Sequence, residues 1–225
     1  MTADALSLVD VRFADKGAVV LGGVTLEVPQ GGAVGIVGSD GSGKTCLLRL
    51  ACGLLAPTGG RVDLLGTRLP ATPRVLRAVQ SRVGYFPQDG GLLSNLTLRD
   101  NVLLPLRYHG RLDDGARDSV RRLTDRMDLA PHLDRIPADV PIGARRRAAL
   151  VRALAPRPAL LLADHLAVGD GEGWTAIVDE AVGQAREVWG MALVATARTV
   201  AQARAFSKDV QILRGGILLP WEEAL

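Results

Sequence analysis

The sequence contains few of the features that secreted and membrane-embedded proteins depend on. Of its 225 residues only two are cysteines, and Cys46 and Cys52 fall on one predicted helix facing different directions, so they cannot pair. No apolar run approaches the ~18 residues that a membrane span requires. Residues 1–4 lack the basic and apolar segments that begin a signal peptide. These absences predict a cytosolic protein with reduced thiols.

Aromatic residues are also scarce, at 4% of the chain, and the net charge is only +3. The most basic cluster, residues 145–147 with Arg152, could contact nucleic acid or acidic headgroups. No aromatic residues alternate with these arginines, as a surface that stacks on bases would require. We therefore interpret the cluster as an arginine-rich helix surface and expect no nucleic-acid partner.

One short segment carries a specific chemical signal. It has the pattern G-x-x-x-x-G-K-[ST] of a phosphate-binding loop and consists of Gly38, Ser39, Asp40, Gly41, Ser42, Gly43, Lys44 and Thr45. Residues 33–37 before it predict a buried strand, and residues 46–55 after it predict a helix with Leu54 among its core positions. Glycines let backbone N–H groups turn towards an anion, to which the helix N-terminus adds partial positive charge. Lys44 would reach the β- and γ-phosphates, and the Thr45 hydroxyl would ligate Mg²⁺.

The rest of the chain alternates strands and helices, with one interruption. Apolar residues make up 48% of the chain, enough for a substantial core. Strands are predicted at residues 6–13, 19–28, 61–66, 82–88, 159–164 and 191–196, and a terminal hairpin at 210–219. Residues 98–133 instead show charged, amphipathic helical patterns, and a further helix covers 143–154. We predict one α/β domain over residues 1–225, with a core of residues 1–88 and 155–225 and a helical lobe of residues 89–154.

Nearly the whole chain resembles the nucleotide-binding domain of ABC transporters. Residues 20–31 and 55–62, on either side of the phosphate-binding loop, carry the resemblance, and Gln88 occupies the position of the family's Q-loop glutamine. Residues 92–109 and 146–154 are similar to the phospholipid-transport (Mla/Mce) branch. The resemblance implies a P-loop NTPase (RecA-like) core with an antiparallel β subdomain and an inserted α-helical lobe.

The family resemblance also implies cofactors and partners. ABC subunits work as head-to-tail pairs, in which each ATP with its Mg²⁺ lies between the phosphate-binding loop of one subunit and the signature motif of the other. Their closure is transmitted to a transmembrane permease docked near the Q-loop. We therefore expect a peripheral location on the cytoplasmic face of the membrane. A different second ABC subunit is the favoured partner, and a homodimer is the alternative.

Several site residues follow from matching the family's motifs. Asp164, at the end of an apolar strand, matches the Walker B carboxylate and would hold the Mg²⁺ shell together with Thr45 and Gln88. Cys46 would add a backbone N–H to the phosphate cradle. Phe13 is the candidate for stacking on adenine, although residues 14–15 could occupy that place and a core position for Phe13 is equally compatible with the sequence.

The chain departs from the family where the chemistry of hydrolysis takes place. His165 stands where the family has the glutamate that polarises water, and Ala197 stands where it has the switch histidine. The signature Leu-Ser-Gly-Gly-Gln aligns with residues 140–144, where Pro141 and Ile142 replace groups that contact the γ-phosphate. Asp170 of the D-loop is retained.

Three hypotheses follow from this pattern. The first is a degenerate ATP-binding subunit, possible because groups that act only in the transition state can be lost without losing ground-state affinity. The second is an active ATPase that uses His165 as an unusual base. The third is a soluble nucleotide sensor outside transport. We favour the first, with lipid as a possible cargo.

Overall fold

A computed structural model of the chain describes residues 4–167 and 173–223 and contains two sheets. The first is antiparallel in the order β2-β1-β4-β5, and the second has six strands in the order β10-β9-β3-β8-β7-β6, parallel except for β10. The strands of the first sheet are β1 (Asp4–Asp15), β2 (Ala18–Pro29), β4 (Gly59–Leu64) and β5 (Thr67–Leu69). Those of the second are β3 (Ala33–Val37), β6 (Val83–Phe86), β7 (Leu160–Ala163), β8 (Ala192–Ala197), β9 (Asp209–Arg214) and β10 (Ile217–Pro220).

Seven α-helices accompany these strands in the described ranges. They are α1 (Lys44–Ala51), α2 (Pro73–Gln80), α3 (Leu98–Tyr108), α4 (Asp114–Arg126), α5 (Ile142–Leu154), α6 (Trp174–Trp189) and α7 (Val200–Arg204). Helices α3, α4 and α5 form the helical lobe predicted from the sequence. The predicted architecture, an α/β core with an antiparallel subdomain and an inserted helical lobe, is confirmed.

The parallel sheet separates two apolar cores because successive side chains of a strand point to opposite faces. On one face, Leu160 and Leu162 join the core formed with α1 and the antiparallel sheet. On the other face, Leu161 and Ala163 join the core formed with α5, α6 and the lobe. A strand buried on both faces is a continuous apolar run, which is why β7 was evident in the sequence.

One predicted helix is shorter than expected. Helix α1 ends at Ala51 rather than near residue 55, because Gly53 adopts a positive φ of 73° that leaves the helical conformation. Leu54 consequently lies outside the helix and is 56% exposed. Its assignment to the core is therefore wrong. Strand β6 also ends at Phe86, so Gln88 lies in the turn that follows it.

Asn101, which is fully buried in α3, ties the lobe to the segment that enters it. Its side-chain oxygen accepts a hydrogen bond from Leu93 N at 2.7 Å, and its amide donates to the carbonyls of Leu93, Leu96 and Thr97 at 3.0–3.2 Å. One side chain thus pairs Leu93 N and the Leu96 carbonyl, and it adds a second donor to the carbonyls of Leu93 and Thr97, which also accept from backbone N–H groups.

Replacing Asn101 with alanine is expected to lower the free energy of unfolding by about 1–3 kcal/mol, because it removes the hydrogen bonds of a buried side chain to Leu93 N and to three carbonyls. Urea unfolding followed by circular dichroism measures this change. Asn95→Ala is the matched control, since Asn95 lies exposed in the same segment, and it should change the stability by less than about 0.5 kcal/mol. Equal effects of the two substitutions would contradict this role of Asn101.

Candidate nucleotide site

The phosphate-binding loop lies between the end of β3 at Val37 and the start of α1 at Lys44. Its backbone requires glycine at several positions. Gly41 and Gly43 have φ values of 80° and 100°, which disfavour other residues. A Cβ atom at Gly38 would lie 2.5 Å from Ser42 Oγ and 2.8 Å from the carbonyl oxygen of Leu213. A side chain at Gly38 would therefore collide with Ser42 and with β9, and the turns at Gly41 and Gly43 need glycine.

Lys44 points back into this loop. Its ammonium group donates hydrogen bonds to the carbonyls of Gly38 at 2.6 Å and Ser39 at 2.8 Å, and the residue is buried. Burial lowers the pKa of Lys44 from its ordinary value, and the carboxylates of Asp40 and Asp164 partly oppose this change. The ammonium group is thus pre-positioned over the concave side of the loop, where a phosphate would meet it.

The loop also contains a buried side-chain oxygen whose hydrogen-bonding capacity is not used. Ser42 Oγ is buried and has no hydrogen-bond partner among the described residues. An unpaired buried hydroxyl is costly, and a phosphate oxygen would satisfy it. Glycine geometry, the Lys44 ammonium and this orphaned hydroxyl together fit a nucleotide phosphate chain.

Asp164 lies at the first position after β7 and is completely buried. One of its carboxylate oxygens accepts a hydrogen bond from Thr45 Oγ1, and the other accepts one from Thr196 Oγ1, both at 2.6 Å. The parallel pairing of β7 with β8 places Asp164 and Thr196 at the same edge of the sheet. The sequence predicted the proximity of Thr45 and Asp164, which are 119 positions apart.

The oxygens of Thr45 and Asp164 fit a magnesium ion that is bound mainly through the nucleotide. Mg²⁺ prefers oxygen ligands and is usually held by one or two protein groups plus substrate phosphates. Within residues 4–167 and 173–223, no cluster of three or more His, Cys, Asp or Glu side chains could hold a metal on its own. The donor set therefore fits Mg²⁺ that arrives together with ATP.

His165 directly follows Asp164 and has an unusual backbone conformation, with φ of 54°. Its N–H donates to Thr196 Oγ1 at 2.8 Å. The ring is buried, and Nδ1 lies 3.3 Å from a carboxylate oxygen of Asp164, but neither ring nitrogen forms a hydrogen bond to a described residue. Burial lowers the pKa of His165 below its ordinary value of 6.5, against an opposing effect of Asp164. The imidazole is therefore neutral near pH 7.

The segment aligned with the signature motif is the start of a helix. Val140 is buried, Pro141 precedes the first turn of α5, and Ile142 begins the helix with a side chain that is 54% exposed. This agrees with the interpretation of the segment as a loop that enters a helix. A proline offers no N–H at this surface, and a branched side chain covers the next position.

Other predicted site residues lie around this centre. Ala197 is fully buried at the end of β8, and its methyl group has no atom that could hydrogen-bond to a phosphate. Gln88 is exposed and lies outside the hydrogen bonds that join Thr45, Asp164 and Thr196. Cys46 is half-buried with a free thiol. Phe13 packs against the core of the antiparallel sheet while remaining partly exposed, and Asp170 lies outside the described residues.

The arginine cluster at residues 145–152 is only partly a solvent-exposed surface. Arg146 donates hydrogen bonds to the carbonyls of Gln88 at 3.1 Å and His165 at 3.2 Å, and its guanidinium carbon lies 5.2 Å from the ring centres of both Phe86 and Trp174. Arg152 donates to the carbonyls of Gly91 and Gly90 at 2.6 and 2.7 Å. For Arg146 and Arg152 the surface interpretation is wrong, since both hold the segment around Gln88 against α5.

Thr196 and Arg146 are the site residues that sequence reasoning missed. Thr196 directly precedes Ala197, and its place at the end of an apolar strand is a usable signal. Arg146 gave no comparable signal, because its partners are backbone carbonyls in distant segments.

The model of the ABC transporter family matches residues 21–167, well over half of the chain. The chain belongs to the ABC transporter family. The methionine import ATP-binding protein MetN of Caulobacter vibrioides is 33% identical over 210 residues, which are 92% of this chain and 63% of that protein. The Fe(3+) ions import ATP-binding protein FbpC of Yersinia pseudotuberculosis is 32% identical over 95% of this chain and 60% of its own length.

Solved structures show the same fold. A dimeric ATP-binding cassette, MJ0796, in a post-hydrolysis state with ADP and Pi, has a TM-score of 0.86 at 23% identity and covers 95% of this chain and 96% of its own. An ATP-binding subunit of an ABC transporter has a TM-score of 0.87 at 22% identity, covering 95% of this chain and 88% of its own. The fold is thus that of the ABC cassettes. This ABC chain spans 60–63% of the length of the MetN and FbpC proteins named above, and no helix in its described ranges is long and apolar enough to cross a membrane.

Proposed function

We propose that the chain is a degenerate ATP-binding subunit of an ABC transporter, which binds Mg-ATP and hydrolyses it slowly or not at all on its own. The proposed domain is the whole chain, with a core of residues 1–88 and 155–225 and a lobe of residues 89–154. One observation carries the proposal. Each carboxylate oxygen of Asp164 accepts a hydrogen bond from a threonine, whereas the buried ring of His165, the next residue, has no hydrogen bond to a described residue.

The groups that would bind ATP and Mg²⁺ before any reaction are present in this chain. The proposed phosphate cradle consists of residues 38–46, in which Lys44 would exchange its two carbonyl contacts for phosphate oxygens. Thr45, Asp164 and Gln88 are the proposed metal-shell residues, and Phe13 is the proposed contact for adenine. When bound, Mg²⁺ would offset negative charge on the β- and γ-phosphates. None of these roles requires the groups that this chain has replaced.

The residues at the positions that act in hydrolysis argue for slow turnover. A general base contributes about 10²–10⁴ in rate, and His165 supplies neither the negative charge of a glutamate nor a hydrogen bond that would orient its ring. Pro141 and Ile142 offer a poor surface to the ATP of a paired subunit. In a mixed pair each composite site would carry one of these two defects, so turnover would be slow there too, whereas in a homodimer every site would combine both. We therefore favour pairing with a different ABC subunit over a homodimer.

The proposed partner on the membrane side is a transmembrane permease, which places the chain peripherally on the cytoplasmic face. The relatives described above are named for import of methionine and of Fe(3+) ions, so their names offer no support for lipid as the cargo. Lipid transport rests on the similarity of residues 92–109 and 146–154 to the Mla/Mce branch. Recovery of a permease with the chain from solubilised membranes would support the transport role, whereas recovery without any membrane protein would favour the soluble nucleotide sensor.

The decisive experiment measures ATP binding and hydrolysis side by side on the purified chain. We expect saturable Mg-ATP binding by calorimetry and phosphate release well below the 1–10³ s⁻¹ of typical enzymes. Turnover within that range from the chain alone would contradict the proposal.

The substitution His165→Ala distinguishes this proposal from the second candidate function, an active ATPase in which His165 acts as the base. Under our proposal the substitution leaves both ATP affinity and residual hydrolysis unchanged within about threefold. A fall in hydrolysis of about 10²-fold with unchanged affinity would instead identify His165 as the base. The neutral ring near pH 7 is the specific feature that keeps this alternative open.

A further inference from the structure

A groove between the helical lobe and the α/β core is lined by arginines. Helix α4 contributes Ser119, Arg122 and Arg126, the connection from α5 to β7 contributes Arg157, and α6 contributes residues that include Gln184 and Trp189. The groove has a volume of about 150 Å³, several times the roughly 30 Å³ that one water occupies in the liquid. It is therefore large enough for a small polyatomic ligand.

Two guanidinium groups in this groove converge on one oxygen atom. Arg157 donates to Ser119 Oγ at 2.8 Å, and Arg122 donates to the same oxygen at 3.3 Å. A hydroxyl oxygen is neutral, so it balances neither charge. Arg126 also donates to a neutral acceptor, the side-chain oxygen of Gln184.

Among the described residues, ion pairs do not match the arginines of this groove, although Glu180 lines an adjoining pocket with Arg126 and the Arg157 guanidinium lies 5.9 Å from the ring centre of Trp189. Within residues 4–167 and 173–223, no carboxylate lies within ion-pair distance of Arg122, Arg126 or Arg157, whereas Arg121, one position before Arg122, pairs with Asp118 at 3.2 Å. Asp113 lines the adjoining groove, but its carboxylate caps α4 by accepting from Ala116 N at 2.7 Å.

We propose that this groove binds a phosphate group. Guanidinium groups match the geometry of phosphate oxygens, and their bonds to an anion are stronger than those to a neutral acceptor. Arg122 and Arg157 would exchange the shared Ser119 hydroxyl for separate phosphate oxygens, and Ser119 would itself donate to the ligand. Because Arg122 lies on the lobe and Arg157 on the core, the bound phosphate ties the two together. The site is separate from residues 38–45 and does not depend on the proposed function.

Residue-resolved NMR with inorganic phosphate as the probe tests the site. The Nε–H signals of Arg122 and Arg157, assigned by substitution, should shift saturably between 0 and 20 mM phosphate at constant ionic strength. Arg122→Gln and Arg157→Gln should each weaken this binding at least tenfold. The amides of Gly41 and Gly43 report separately on phosphate in the nucleotide loop, so the two sites are distinguished in one titration.

Arg117→Gln is the matched control, because Arg117 lies exposed on the same helix outside this groove and loses the same charge. It should change the affinity less than twofold. The proposal is overturned if the two arginine signals do not shift, if chloride shifts them equally, or if Arg117→Gln weakens binding as much as Arg122→Gln does.

Vesicle sedimentation then identifies the source of the phosphate. If the ligand is a lipid headgroup, the chain should bind phosphatidylcholine vesicles that contain 30 mol% phosphatidic acid, should not bind pure phosphatidylcholine, and should lose binding with Arg157→Gln but not with Arg117→Gln. If the ligand is free phosphate, the NMR shifts occur without vesicle binding. Vesicle binding that both substitutions reduce equally would indicate diffuse charge attraction and would contradict a defined headgroup site.

Discussion

Replacing Lys44 with alanine is expected to weaken ATP binding by at least 30-fold. The Lys44 ammonium is buried and held over the loop by the carbonyls of Gly38 and Ser39, so it meets phosphate without a large ordering cost. Losing one partner of a buried, hydrogen-bonded charge pair typically costs about 2–5 kcal/mol, and each 1.4 kcal/mol is a factor of ten in affinity. Isothermal titration calorimetry with Mg-ATP measures the change.

Arg49→Ala controls for the loss of a positive charge. Arg49 lies in the last turn of the same helix, exposed and away from the loop, and its substitution should leave ATP affinity within about twofold. Thermal unfolding of both variants shows whether the fold persists. If Lys44→Ala remains folded and binds ATP as tightly as the unaltered chain, the loop of residues 38–45 is not the nucleotide site.

Much of this site could be predicted because its parts are local in sequence. The loop of residues 38–45 needs only glycines at fixed spacing between a strand and a helix, and both elements have strong apolar patterns. Asp164 could be placed because β7 is apolar at every position, as a strand buried on both faces must be. The carboxyl ends of parallel strands meet at one edge of the sheet, so Thr45 and Asp164 had to lie near each other.

The features that escaped prediction depend on contacts between distant segments. Leu54 was expected in the core because its spacing continues the pattern of α1, but the left-handed conformation of Gly53 ends that helix first. Thr196 bonds both Asp164 and the backbone of His165, and this depends on the order of β7 and β8 in the sheet. Strand order is a property of the tertiary fold, and periodicity within a strand does not contain it.

Arg146 shows the same principle for charged residues. An arginine on the first turns of a helix, beside two other arginines, has the sequence pattern of a solvated face. Its partners are the carbonyls of Gln88 and His165 and the rings of Phe86 and Trp174, which belong to three different segments. Side chains of these types carry no charge complementary to arginine, so no pairing was visible in the sequence.

Replacing Arg146 with alanine is expected to lower the free energy of unfolding by about 3 kcal/mol. Hydrogen bonds from a charged donor are worth about 1.5–3 kcal/mol, and contact of a cation with an aromatic ring adds roughly 0.5–2 kcal/mol. For a chain of this size each kcal/mol shifts Tm by about 2–4 °C, so Tm should fall by about 6–12 °C. Differential scanning calorimetry measures the shift.

Two further variants isolate the cause. Arg145→Ala removes the same charge from an exposed neighbour on α5 and should shift Tm by less than about 2 °C. Arg146→Lys keeps the charge but loses the planar fork that reaches two carbonyls at once, so it should recover less than half of the loss.

Because the two carbonyls belong to the Q-loop position and to the residue after Asp164, Arg146→Ala should also speed amide exchange at residues 88–91 and 165–167. Unchanged exchange in both segments would mean that Arg146 stabilises the lobe without holding these two loops together.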